Sequence, residues 1–140
     1  MRIALVVEYD GSQYHGWQSQ KGLATVQSVL EDALSQVADA PIKVTYSGRT
    51  DTGVHATYQV VHFEVGNNRK VKAFIHGTNA LLPKDVCVRY GQEVPDEFHA
   101  RYSAVGRQYR YVIYNASIRP ALLRSQVTWQ YRKLNDELMH

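Results

Sequence analysis

Asp51 stands between two glycines, Gly48 and Gly53, with Arg49 two positions before it, in the run Gly48-Arg49-Thr50-Asp51-Thr52-Gly53-Val54-His55-Ala56. Glycines on both sides open backbone conformations closed to other residues and let a ligand approach the main chain. The carboxylate can therefore project from a tight loop into a cleft. An acid so placed either does chemistry there or caps its own backbone in a surface turn, and residue types alone leave both open. Arg49 is close enough in sequence to pair with Asp51 and keep it ionised. Other chemistries find less support. His55, His62, His76 and His99 form no His-x-x-x-His pair and the chain has one cysteine, so no metal is expected. A glycosidase with two carboxylates is conceivable, but Asp10, Asp51 and Glu64 show no pairing that sequence alone establishes.

The elements flanking this loop follow from periodicity. Residues 3 to 9 alternate as a strand with Ile3, Leu5, Val7 and Tyr9 on one face, and Asp10-Gly11 ends it. Residues 11 to 22, rich in Gly, Ser and Gln around Tyr14, His15 and Trp17, read as a loop able to carry a binding surface, although Trp17 could equally pack. Thr25 caps a helix whose stripe is Val26, Val29, Leu30, Ala33, Leu34 and Val37, stopped by Pro41. Ile42 to Ser47 and Tyr58 to Val65 read as strands on either side of the Asp51 loop, which places Asp51 at a sheet end. Gly66-Asn67-Asn68 reads as a turn, Val71, Phe74, Ile75 and Thr78 as a second helical stripe, and Val86 to Tyr90 as a fourth strand after Pro83. The order βαββαβ predicts a ferredoxin-like α+β unit, with an antiparallel sheet carrying two helices on one face and the other face free. Arg107 to Tyr114 alternates as an extra strand. We expect residues 1–105 to form the unit carrying the Asp51 loop and 106–140 to add that strand and a connection. Leu134 to His140 reads as a cap and first turn of a further helix, which suggests a chain cut short of its continuation.

At 140 residues and 44% hydrophobic, the chain suits an ordinary globular domain with a core. No apolar run approaches a membrane span, and acids at Glu8 and Asp10 break any signal-peptide pattern, so a cytoplasmic location is expected. Lone Cys87 reads as a small buried hydrophobe. The net charge of +3 is unevenly placed: residues 1–100 carry nine basic and eleven acidic side chains, and 101–140 carry seven and two. Arg101, Arg107, Arg110, Arg119, Arg124, Arg132 and Lys133 are interleaved with Tyr102, Tyr109, Tyr111, Tyr114, Trp129 and Tyr131. That mixture fits either a solvated basic face or a nucleic-acid surface in which cations meet phosphates and rings stack on bases.

The loop Gly48 to His55 resembles the signature of the tRNA pseudouridine synthase A family. Glu8-Tyr9-Asp10-Gly11, Tyr14-His15-Gly16-Trp17-Gln18, Thr25-Val26-Gln27, Phe98-His99-Ala100-Arg101 and Arg107-Gln108-Tyr109-Arg110-Tyr111 also resemble that family, at its spacing and over nearly the whole chain. Thr52 stands where the family more often has Ala. The resemblance implies isomerisation of uridine to pseudouridine in the anticodon stem-loop of tRNA, without cofactor, in a homodimer. It makes Asp51 the nucleophile and gives Arg49 a part either in pairing with Asp51 or in filling the stack left by a flipped nucleotide. Tyr109 resembles the substrate-contacting tyrosine, and Arg101, Arg107, Arg110 and His55 would bind substrate. Family members resemble two ferredoxin-like halves with the cleft between them, so this chain reads as the first half, inactive alone.

Two other readings remain from the residues. A non-catalytic RNA-binding module of RNA-recognition-motif topology shares the βαββαβ order, but Tyr58-Gln59-Val60-Val61-His62-Phe63 lacks its basic-Gly-aromatic signature. A ferredoxin-like assembly domain would bind RNA weakly and independently of Arg107 and Arg110.

Overall fold

A computed structural model describes residues 1–66 and 68–140. The turn expected at Gly66-Asn67-Asn68 includes Asn67, which lies outside the described residues. The chain divides into two compact units, Met1–Val105 and Gly106–His140.

In the first unit β1 (Arg2–Tyr9), α1 (Val26–Ala38), β2 (Thr45–Tyr46), β3 (Ala56–Glu64), α2 (Val71–Leu81) and β4 (Val86–Val94) build a four-stranded sheet in the order β2-β3-β1-β4. Every neighbouring pair is antiparallel, which gives the ferredoxin-like arrangement that the βαββαβ order predicts. Ile3, Leu5, Val7 and Tyr9 alternate onto the helix face, and each is at most 2% exposed. Against them pack Leu30 and Leu34 of α1, Phe74 of α2, and Val61 and Phe63 of β3. The Thr25 side chain accepts a hydrogen bond from the Ser28 backbone N–H at the start of α1, and Asp39, at φ 53°, ends the helix two residues before Pro41. Gly77 lets α2 approach α1: a Cβ there would stand 3.0 Å from Val37 Cγ2. Asn79 ties α2 to β4 through both amide atoms, donating to the Val88 carbonyl at 2.8 Å and accepting from the Val88 N–H at 2.7 Å.

In the first unit β2 and β4 differ most in length from expectation. β2 is confined to Thr45–Tyr46 because the preceding N–H groups are used elsewhere. Ile42 N–H donates to Ser35 Oγ at 2.8 Å and Val44 N–H to the buried Glu31 carboxylate at 3.0 Å. β4 runs on to Val94, with a register shift opposite Val6 and Val7.

The sheet face opposite the helices is not wholly free. At the Arg2 end of β1, the segment after β4 folds back over it. Phe98 meets His62 edge-on at 6.0 Å, the Ala100 N–H donates to His62 Nδ1 at 3.1 Å, and the Arg2 guanidinium donates to the Phe98 carbonyl at 2.7 Å.

The second unit holds a short parallel pair, β5 (Ile113–Asn115) with β6 (Thr128–Gln130), and a single 3₁₀ turn, Asp136–Met139. Asn115 fastens it, donating to the carbonyls of Gln130 and Arg132, both at 2.8 Å, and accepting from the Leu134 N–H at 3.0 Å. The strand expected over Arg107–Tyr114 is therefore shorter and displaced. Residues 107–112 alternate in character, but alternation makes a strand only where a neighbour supplies a ladder. Here β6 pairs only with Ile113–Asn115.

Candidate active site

The Asp51 loop leaves β2 and enters β3 at the Tyr9 end of the sheet. Two kinds of contact hold it. The first is to β1: the hydroxyls of Tyr9 and Thr50 share a hydrogen bond of 2.7 Å, and Tyr9 is 2% exposed. The second is to the loop after β1, which lies against the Asp51 loop main chain to main chain. Trp17 N–H donates to the Thr50 carbonyl at 3.1 Å and Gly53 N–H to the Tyr14 carbonyl at 3.3 Å.

This approach requires glycine at two positions. A Cβ on Gly11 would lie 2.0 Å from the Val54 carbonyl oxygen, and one on Gly16, at φ +80°, would lie 2.6 Å from that of Thr50. Within the loop itself Gly53 has φ +80°, so of the two glycines flanking Asp51 it is the one that uses a left-handed conformation. Behind Gly48, Gln59 of β3 donates its amide to the Gly48 carbonyl and accepts from Ser47 Oγ, tying the root of the loop to the strand that follows it.

The ring of Trp17 fills the space beneath. It is fully buried, with Tyr9 5.7 Å away on one side and Tyr46 5.5 Å away on another. Trp17 is thus a packing residue, and its part in the site is to seat the two loops. Tyr14 spans a similar gap, donating its hydroxyl to Asp85, just before β4, at 2.6 Å; burial, and then the Asp85 carboxylate, raise its pKa above the ordinary phenol range.

Above this support, Arg49, Thr50, Asp51 and Thr52 line one side of an open cleft of about 380 Å³, and His15, Gln18 and Gln20 line the other. Asp51 and Arg49 are both exposed to solvent. Among the described residues, no ion pair joins them, so the arginine is left to reach outward into the cleft. His55 stands behind the loop. Its Nδ1 accepts the Gly11 N–H at 2.9 Å, so that nitrogen carries no proton in this geometry. Its 3.2 Å approach to Asp10 Oδ1 is then a contact and becomes an ion pair only on protonation. The Ser12 hydroxyl and N–H hold the Asp10 carboxyl below the usual range.

Of the other residues singled out by sequence, one lies elsewhere in the first unit and three lie in the second. Arg101 belongs to the turn fastened at the Arg2 end of β1, where its guanidinium lies 5.7 Å from the Tyr102 ring centre. Arg107, Tyr109 and Arg110 belong to the second unit, where Tyr109 is 70% exposed. His15, Gln18 and Gln20 were not singled out by sequence as site residues. Their signals were the polar, glycine-bearing composition of residues 11–22 and, for His15 and Gln18, the family-like run Tyr14 to Gln18, neither of which said which side chains faced Asp51.

A family profile described as tRNA pseudouridine synthase matches residues 5–103, a span that contains both loops, the cleft and the sheet behind them. The chain belongs to the tRNA pseudouridine synthase family. Among curated relatives, proteins named tRNA pseudouridine synthase A are similar throughout its length. One from Legionella pneumophila (strain Lens) is 66% identical over 139 residues, covering 99% of this chain and 53% of the relative. One from Vibrio vulnificus (strain YJ016) is 53% identical over 140 residues, covering 100% and 53%. One from Escherichia coli O1:K1 / APEC is 56% identical over 139 residues, covering 99% and 52%. The chain spans about half the length of the curated relatives it matches. No helix among the described residues is long and apolar enough to cross a membrane.

Proposed function

We propose that this chain supplies the nucleophile-bearing half of a synthase that isomerises uridine to pseudouridine in the anticodon arm of tRNA, with Asp51 as the nucleophile. The observation that carries this reading is the placement of Asp51. Its carboxylate faces an open cleft, and the loop bearing it is clasped by main-chain bonds to a second loop, all within the span that matches the family. In the reaction the bond from ribose C1′ to N1 breaks and one from C1′ to C5 forms. The C5 proton is lost to water and N1 acquires one, so atoms balance without redox chemistry. An ionised carboxylate adds transiently to C6 of the base or to C1′ of the ribose. Arg49, exposed beside Asp51, is suited to occupy the stack from which the target nucleotide leaves. Arg101, Arg107 and Arg110 would meet phosphates and Tyr109 the flipped base, with His55 holding the loop that faces the substrate. Homodimerisation and a cytoplasmic setting complete the proposal.

The test is tritium release from 5-tritiated uridine in an anticodon-arm tRNA. It compares this chain, the chain continued by the second half of the Legionella relative, and that longer protein with Asp51→Ala. Release by the longer protein alone is expected. Release by all three would remove Asp51 from the mechanism, and release by none when all are folded would leave an RNA-binding module.

A further inference from the structure

We propose that Tyr9 is a positioning residue for the Asp51 carboxylate, acting through the hydroxyl of Thr50; the inference rests on the nucleophilic role proposed above for Asp51. The exposed carboxylate accepts no hydrogen bond from any described residue, so its direction is set by the main chain just before it. That main chain is held at Thr50 from two sides. Trp17 N–H donates to its carbonyl at 3.1 Å, and the Tyr9 hydroxyl bonds its hydroxyl at 2.7 Å.

The Tyr9 grip is rigid for three reasons. The residue is the last of β1, so its main chain is fixed by pairing to Ala56 and Val86 on both sides. Its ring is 2% exposed and packs 5.7 Å from that of Trp17, which removes its rotamer freedom. Thr50 is β-branched, so fixing its hydroxyl fixes χ1 and, through it, the Cα that precedes Asp51. Tyr9 alternates with Ile3, Leu5 and Val7 on the core face, where a phenylalanine would fill the same space. The hydroxyl is therefore not needed for packing, and it reaches the residue next to the nucleophile.

The test uses the chain continued by the second half of the Legionella relative, with Tyr9→Phe, Thr50→Val, Thr50→Ser and the double variant Tyr9→Phe/Thr50→Val. A nucleophile displaced by a fraction of an ångström loses rate and not binding. We expect Tyr9→Phe and Thr50→Val each to lower kcat by roughly 10- to 100-fold while KM for tRNA stays within about 2-fold. Thr50→Ser, which keeps the hydroxyl, should retain most of the rate, and the double variant should lose no more than the worse single one. Unchanged kcat in Tyr9→Phe, or losses that multiply in the double variant, would overturn the proposal. Hydrogen exchange in the 140-residue chain gives a reading independent of activity. The Trp17 amide, bonded to Thr50, should exchange faster in Tyr9→Phe while amides at the centre of β1 do not change, and equal protection at Trp17 would refute the grip. An unmodified protein that releases no tritium would instead count against the synthase reading itself.

Discussion

Replacing Gly16 by alanine separates two costs that are usually confounded. At φ +80° an L-residue carries a backbone penalty of roughly 1–2 kcal/mol. Gly22, at φ +77° with nothing within 4 Å of where a Cβ would stand, would carry that penalty alone. At Gly16 the new Cβ would also lie 2.6 Å from the Thr50 carbonyl oxygen, where ordinary van der Waals approach begins near 3.4 Å, so the loops must part by about 0.8 Å. Parting them breaks the Trp17 N–H bond to that carbonyl, which adds about 1 kcal/mol. Gly22→Ala should therefore lose about 1–2 kcal/mol and Gly16→Ala about 2–3 kcal/mol. Urea unfolding, followed by the fluorescence of the buried Trp17 in a Trp129→Phe background, measures both. Equal losses in the two variants would refute the close approach of the loops.

Three further outcomes are expected. Glu31, 3% exposed, accepts from Gln27, Lys43 and the Val44 N–H, so Glu31→Ala should cost about 2–3 kcal/mol in thermal or urea unfolding. Lys43→Met, which removes only an exposed cation, should cost clearly less than Glu31→Ala in the same assay. Burial, and then the neighbouring His99 and Arg2, hold His62 below the ordinary imidazole range. As pH falls through about 6.5 the unfolded chain takes up a proton that native His62 does not, so stability drops, and His62→Gln should flatten that drop between about pH 7 and 5. In filter binding of an anticodon-arm RNA, Arg107→Ala/Arg110→Ala should weaken affinity and reduce the slope against log salt by about 0.7–0.9 for each phosphate no longer engaged; an unaltered slope would exclude both residues from the interface.

The parts of the fold legible in the sequence are those governed by local periodicity. The alternation of Ile3, Leu5, Val7 and Tyr9 and the stripe Val26, Leu30, Ala33, Leu34 and Val37 each name a buried face, and the Thr25 and Pro41 boundaries of α1 follow from capping and sterics. What the sequence concealed depends on partners distant along the chain. Glu31 falls among the apolar positions of α1 and reads as part of its polar edge, yet it is buried because Lys43 and Val44 come to it, and their engagement shortens β2. Arg107 to Val112 alternates like a strand, and nothing in its composition says that no ladder awaits it. At the candidate site, Asp51 and Arg49 were marked by the glycines around them. Gly11 and Gly16 gave only a loop, because their reason lies in the carbonyls of Val54 and Thr50, far along the chain.

The clasp between the two loops also bears on when the site comes into being. Tyr9 meets Thr50 across 41 residues of chain and Gly11 meets His55 across 44, and the intervening sequence includes all of α1 and β2. Closing such separations is slow compared with forming a helix, and it is rewarded only once β1 and β3 have paired. Helix α1, whose bonds close within a few residues, can thus form before the cleft, which needs residues from β1 to β3. The cleft is complete only once β1 and β3 have paired.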